Sequence, residues 1–320
     1  MPKHKVPPTK KKQAKRPTKT KAAAKPVVVV PAIAETDNKS AKLPSIWQLC
    51  KASAQLLWTH KRLFIAITLI YGLLSLVLVQ GLASSTDVSG LKKELNNALT
   101  GNFKAVTSSF SIFVVLLGSA GNSNSQTAGA YQLFLAIITS LAVIWALRQV
   151  LLGNAIRASD AFYRGMTPLV PFILVLLIIG LQTLPLVLGS SVYALVISNG
   201  IAVHLAEKIL WAVLFGLSAL ATFYLLSSSI FALYIVTLAD MTPRKALRSA
   251  RLLVKNRRWR VVRKLLALPI VLVLLAAIIM VPIIIAITPL AQWIFFLLTM
   301  FSLAAIHTYI YTLYRGLLDE

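Results

Sequence analysis

The chain has 320 residues, 58% of them hydrophobic and 13% charged, and its 33 Lys and Arg against 9 Asp and Glu leave a net charge of +24. A soluble globular domain is about 45–50% apolar and about 25% charged, so this composition excludes an ordinary soluble fold, and the excess charge suggests an anionic partner, either lipid headgroups or nucleic acid. One cysteine, Cys50, excludes an intramolecular disulfide and a CxxC zinc pair, and no HExxH, GxxxxGK[ST] or GxGxxG motif occurs.

In chain order, residues 1–44 come first. From Lys3 to Lys25 the chain is mostly Lys, Pro, Thr and Ala, which bury too little apolar surface to offset the entropy of ordering. This predicts a disordered basic tail. The run Val27–Val30, between Pro26 and Pro31, is too short to span a bilayer. The first long apolar run begins at Leu63, which predicts no cleavable signal and a first span that serves as its own anchor.

Residues 45–320 read as a helical membrane domain. A helix rises about 1.5 Å per residue, so crossing about 30 Å of hydrocarbon takes roughly 20 apolar residues. Spans are predicted at about 63–83, 131–151, 168–188, 209–237, 265–287 and 291–313. The predicted fold class is all-α, a polytopic transmembrane helical bundle of about six spans with cytoplasmic amphipathic interfacial helices. Pro282 and Pro289 bracket the last junction and predict a helix end with a tight return. Phe110–Ala120 and Val192–Val203 are apolar but too short to span. Each reads as an interfacial, re-entrant or capping piece, and both becoming spans would give eight. Within the loop 84–130, Gly90–Leu99 reads as a helix and Gly121–Gln126 as a polar mobile stretch.

Lys and Arg accumulate on the cytoplasmic side of short loops. With six spans, 29 of the 33 fall on the side of the N-terminus and 4 on the other. That places both termini in the cytoplasm, and the localisation expected is the plasma membrane of a prokaryote.

Three segments on that side are amphipathic. Ser45 is a helix cap, with Ile46, Leu49, Cys50, Leu56 and Leu57 on one side, and Trp47, Trp58, Lys61 and Arg62 near the membrane entry. Asn154–Gly165 carries Arg157 and Arg164. In the third, Thr242 caps a helix with Pro243 at its first position. Arg244, Arg248, Arg251, Lys255 and Arg258 then recur at steps of four and three and form one cationic stripe, opposite Leu247, Ala250, Leu253 and Val254. Asn256 is placed to break that helix before Trp259, at a depth where indole is favoured. This is the pattern of a helix in the headgroup plane, and Arg244, Arg248, Arg251, Lys255, Arg258 and Trp259 are the expected anionic-lipid contacts. Positive charge that merely holds a loop inside gives the same pattern. Each segment leads into an outgoing span, which points to a threefold unit of surface helix plus hairpin.

No Asp, Glu or Lys lies in a predicted span, and Arg148 sits in the last turn of the second, where it can snorkel to headgroups. Ser227, Ser228 and Ser229 read as packing residues in the fourth span. Pro185 predicts a kink, with Gln182 and Thr183 beside it. His204 reads as an interfacial residue and His307 as a partner to a neighbouring helix. Asp160 is placed to pair with the arginines of the 244–264 stripe. No acid–base pair, nucleophile with a base or metal set is evident, so no catalytic, cofactor-binding or metal residue is expected.

Leu233 to Asp240, followed by Thr242-Pro243, Ala246-Leu247, Ser249, Leu252-Leu253 and Trp259, resembles polytopic bacterial proteins related to the membrane domain of glycerophosphodiester phosphodiesterases. The resemblance covers about thirty residues of common types. The phosphodiesterase activity of that family belongs to a separate soluble domain, so the resemblance implies a membrane module and no enzymology.

The function expected is a non-enzymatic membrane protein of the cell envelope, an anionic-lipid-associated scaffold or accessory to other membrane proteins. The alternatives are a permease or lipid-handling transporter, and a tether whose residues 1–42 bind nucleic acid or the ribosome. That tail has lysines but no aromatic residues for base stacking, so such binding would be nonspecific and salt-sensitive.

Overall fold

The computed structural model describes residues 44–79, 91–93, 95, 97, 108, 109, 111–113 and 126–318. The basic tail up to residue 43, the predicted close of the first span at 80–83 and most of Gly121–Gln126 lie outside them.

Every regular element among the described residues is a helix. Six are long and apolar enough to cross a membrane: α2 (Lys61–Val79), α3 (Gln126–Leu151), α5 (Leu169–Ser198), α6 (Leu205–Ile235), α8 (Arg258–Ala286) and α9 (Thr288–Leu318). Three shorter helices, α1 (Ile46–Thr59), α4 (Ala158–Gly165) and α7 (Pro243–Leu253), directly precede α2, α5 and α8. The chain is an all-α polytopic bundle built as three successions of short helix and long hairpin. The short helices share one end, called here the basic end.

Helices that are apolar on every face must meet either protein or lipid all round. α3 takes the first option. Leu141, Ala142, Val143, Ile144, Ala146 and Leu147 are almost wholly enclosed, with α2, α4 and α9 around them. Lipid tails are as apolar as leucine, so close packing and hydrogen bonds hold this core together, more than transfer out of water does. α5 and α6 take the second option. They pack closely on one another, yet Leu177, Leu181, Leu210 and Leu217 remain exposed.

Hydroxyls behave as packing residues. Ser227 donates to Tyr224 O at 2.8 Å, and Ser228 and Ser229 donate to Leu225 O at 3.0 and 3.3 Å. All three serines are buried. His307 meets a neighbouring helix as expected. Its Nδ1 lies 2.9 Å from the Tyr234 hydroxyl, beside a cluster in which Tyr234 stacks on Tyr314 and Tyr311 is tilted against both. His204 caps α6, and the Glu207 carboxylate accepts from the Val203 and His204 N–H groups at 2.8 and 3.2 Å.

Several expectations need correction. Val192–Val203 is no separate piece. α5 runs through Ser190 and Ser191, whose hydroxyls both donate to Val187 O, and continues to Ser198. A left-handed Gly200 (φ 66°) then turns the chain, its N–H bonding Ile197 O and that of Ile201 bonding Val196 O. Pro282 does not end its helix. α8 continues to Ala286, and the break comes at Ile287. Near Pro185, which stays inside α5, Thr183 donates to Gly180 O at 2.7 Å. α8 starts at Arg258, so Lys264 belongs to the spanning helix. Its ammonium group donates to Pro44 O, joining the entry of α1 to α8. Within 110–120, residues 111–113 are helical, and Phe113 packs on Phe295 with ring centroids 5.7 Å apart, in a cluster with Leu91, Leu95, Met280 and Ile284. Residues 111–113 dock on α8 and α9.

Candidate functional site

The basic end is assembled by caps and small residues. Ser45 accepts from the Gln48 N–H at 3.2 Å while Gln48 Oε1 accepts from the Ser45 N–H at 2.8 Å, a capping box that starts α1. Thr242 accepts from the Lys245 N–H at 3.4 Å and starts α7. Ala246 and Ala250 of α7 are fully buried, and so is Val254, its C-cap. Their small side chains let α7 lie against α5 and α6. Arg244, Arg248 and Arg251 therefore face outward, as predicted.

Lys255 and Arg258 do not continue that stripe. α7 ends at Leu253, and Asn256 takes a left-handed conformation (φ 68°) that swings the chain into α8. Lys255, Arg258 and Trp259 instead form the mouth of a cleft of about 500 Å³ between α6 and α8. Leu220, Phe223, Val262 and Leu266 make its apolar walls. The Arg258 guanidinium stacks 4.7 Å from the ring centroid of Tyr224, on α6. Such a contact fixes the long side chain and keeps its outer N–H groups available. Trp259 stands exposed at the rim. Among the described residues, no carboxylate lines this cleft. Sequence alone does not single out Tyr224, because only folding brings α6 beside the start of α8.

Comparison with protein-family models, curated proteins and solved structures finds no match.

Two further charged groups serve the fold. Arg148 does not snorkel. Its guanidinium donates to Thr237 O at 3.0 Å, Thr237 Oγ1 at 2.6 Å and Tyr234 O at 3.4 Å, where α6 ends. Asp160 is not joined to the α7 arginines among the described residues. Its carboxylate accepts from the Arg157 N–H at 3.4 Å and caps α4.

Three or more His, Cys, Asp or Glu do not gather anywhere among the described residues in a way that could hold a metal ion. Burial pushes the Cys50 thiol up, which lowers its thiolate fraction and its reactivity. A cation-rimmed, apolar-walled cleft at the end of a spanning bundle fits an amphiphile with an anionic head. Phosphate oxygens would meet Lys255 and Arg258, and hydrocarbon would meet the walls.

Proposed function

We propose that this chain is a non-enzymatic integral membrane protein that binds anionic phospholipid at its basic end and serves as a scaffold or accessory to other membrane components. The observation that carries the reading is the α6–α8 cleft, where Arg258 is fixed on Tyr224 above apolar walls. The exposed arginines of α7 add a second layer of positive charge beside it. The positive-inside distribution supports placing the basic end, and with it both termini, on the cytoplasmic side of a prokaryotic plasma membrane. The cytoplasmic leaflet presents anionic headgroups to that end.

The test uses the full chain, purified in detergent and titrated with phosphatidylglycerol, with bound lipid counted by native mass spectrometry. Each Lys or Arg near such a surface contributes about 1 kcal/mol, so Lys255→Gln with Arg258→Gln should weaken retention by about 2 kcal/mol, or about thirtyfold. Phosphatidylcholine, whose choline offsets its phosphate charge, should be held less tightly by the wild type and lose less in the double variant. Wild-type retention of phosphatidylglycerol by that double variant would refute the reading.

A further inference from the structure

A second cationic cavity lies elsewhere on the basic end and shares no residue with the α6–α8 cleft. It measures about 620 Å³ and opens between the turn that joins α1 to α2 and the loop that joins α3 to α4. Lys61 and Arg62 line one side, in the first turn of α2. Arg157 lines the other. The opposing loop is placed by a helix stop at the end of α3. Gly153 adopts φ 79°, its N–H bonds Val150 O at 3.0 Å, and the Asn154 N–H bonds Gln149 O at 3.1 Å. That turn brings Arg157 to the cavity that Lys61 and Arg62 line from the other side.

Among the described residues, three cations line this space and no carboxylate does. The neighbouring Asp160 is engaged in capping α4. His60, also in the lining, has its Nδ1 buried and without a hydrogen-bond partner among the described residues. That atom is closed off from the cavity by its neighbours, so the cations alone meet a ligand there. Like charges gathered without an acid also repel one another, and an anion relieves that repulsion. A neighbouring tryptophan favours a lipid as the source of the anion. Trp58, exposed beside it with the Lys61 ammonium 5.0 Å from its ring centroid, is a residue type that settles at the headgroup level.

We propose that the cavity between the α1–α2 turn and the α3–α4 loop binds the phosphate of an anionic phospholipid headgroup, held by Lys61, Arg62 and Arg157. The site goes beyond the α6–α8 reading and depends on none of its residues. Arg62 and Arg157 contact the phosphate as paired guanidinium groups, with the Lys61 ammonium beside them.

The experiment titrates the full chain with short-chain phosphatidic acid and, in a separate arm, with inorganic phosphate. Lipid retention is read by native mass spectrometry and phosphate binding by calorimetry. Arg62→Gln with Arg157→Gln should lose one retained lipid, with affinity at that site about thirtyfold weaker. Arg62→Lys with Arg157→Lys should restore most of it, which loss of fold would not allow. The Lys255→Gln, Arg258→Gln variant should keep this lipid even though it loses the other, so failure at one site is distinguished from failure at the other. Equal retention by wild type and the Arg62, Arg157 glutamine variant would overturn the proposal. Saturable inorganic phosphate binding that the same variant abolishes, without any lipid retention, would overturn the lipid assignment in favour of a soluble phosphate.

Discussion

Gly165→Leu is expected to be among the most damaging single substitutions in the described part of the chain. A Cβ at residue 165 would stand 3.1 Å from both Ala142 Cα and Leu141 O, and 3.2 Å from Ala142 N. These are backbone atoms of α3, the most enclosed helix of the bundle, so no rotamer change relieves the contact. α4 would have to lift away from α3, and the entry into α5 would move with it. Overpacking of this kind costs about 1–3 kcal/mol, occasionally more, and a leucine extends the clash well past Cβ. The thermal midpoint in detergent should fall by several degrees. Gly216→Ala is the control, since a Cβ at that position would meet nothing within 4 Å, and it should be neutral or slightly stabilising. Equal midpoints for the two variants would mean that α4 does not sit against α3 as described.

Arg148→Met is expected to be at least as damaging. The last carbonyls of a helix have no partner within it, and the C-terminal end of its dipole is negative. Arg148 answers both needs for α6 through its bonds to Tyr234 O, Thr237 O and Thr237 Oγ1. Thr237 Oγ1 in turn donates to Tyr234 O at 2.8 Å, so its remaining capacity is directed at the guanidinium. Methionine keeps the apolar stem and removes every donor. Hydrogen bonds to charged groups contribute about 1.5–3 kcal/mol each but are not additive, so a loss of about 2–4 kcal/mol is expected. Hydrogen exchange should quicken first at the end of α6. Arg148→Lys should fall between the two, because an ammonium cannot present the guanidinium's fork to three acceptors. A wild-type midpoint for Arg148→Met would restore the snorkelling arginine that the sequence suggests.

That contrast shows which features the sequence carries. The six spans were legible because hydropathy is a local property, and so were the caps at Ser45 and Thr242. The ends of the spans were less so. Gly189, Ser190 and Ser191 look like a loop, but both hydroxyls return to Val187 O and the helix continues through them. The run from Arg258 to Lys264 looks like a loop because it is charged, yet it forms the first two turns of α8. The outward face of α7 followed from its period. The two cavities did not, because each is made by segments distant in sequence: Tyr224 with Arg258, and Lys61 with Arg157.

The most direct test of the account is accessibility of single cysteines in a Cys50→Ser background, read with an impermeant thiol reagent on intact cells. Ser198→Cys, at the far end of α5, should label. Lys245→Cys and Ser159→Cys, on α7 and α4, should label only after the membrane is opened. Labelling of Ser198→Cys and Lys245→Cys from the same side would contradict the six-span arrangement, and the reverse pattern would contradict the cytoplasmic placement of the basic end.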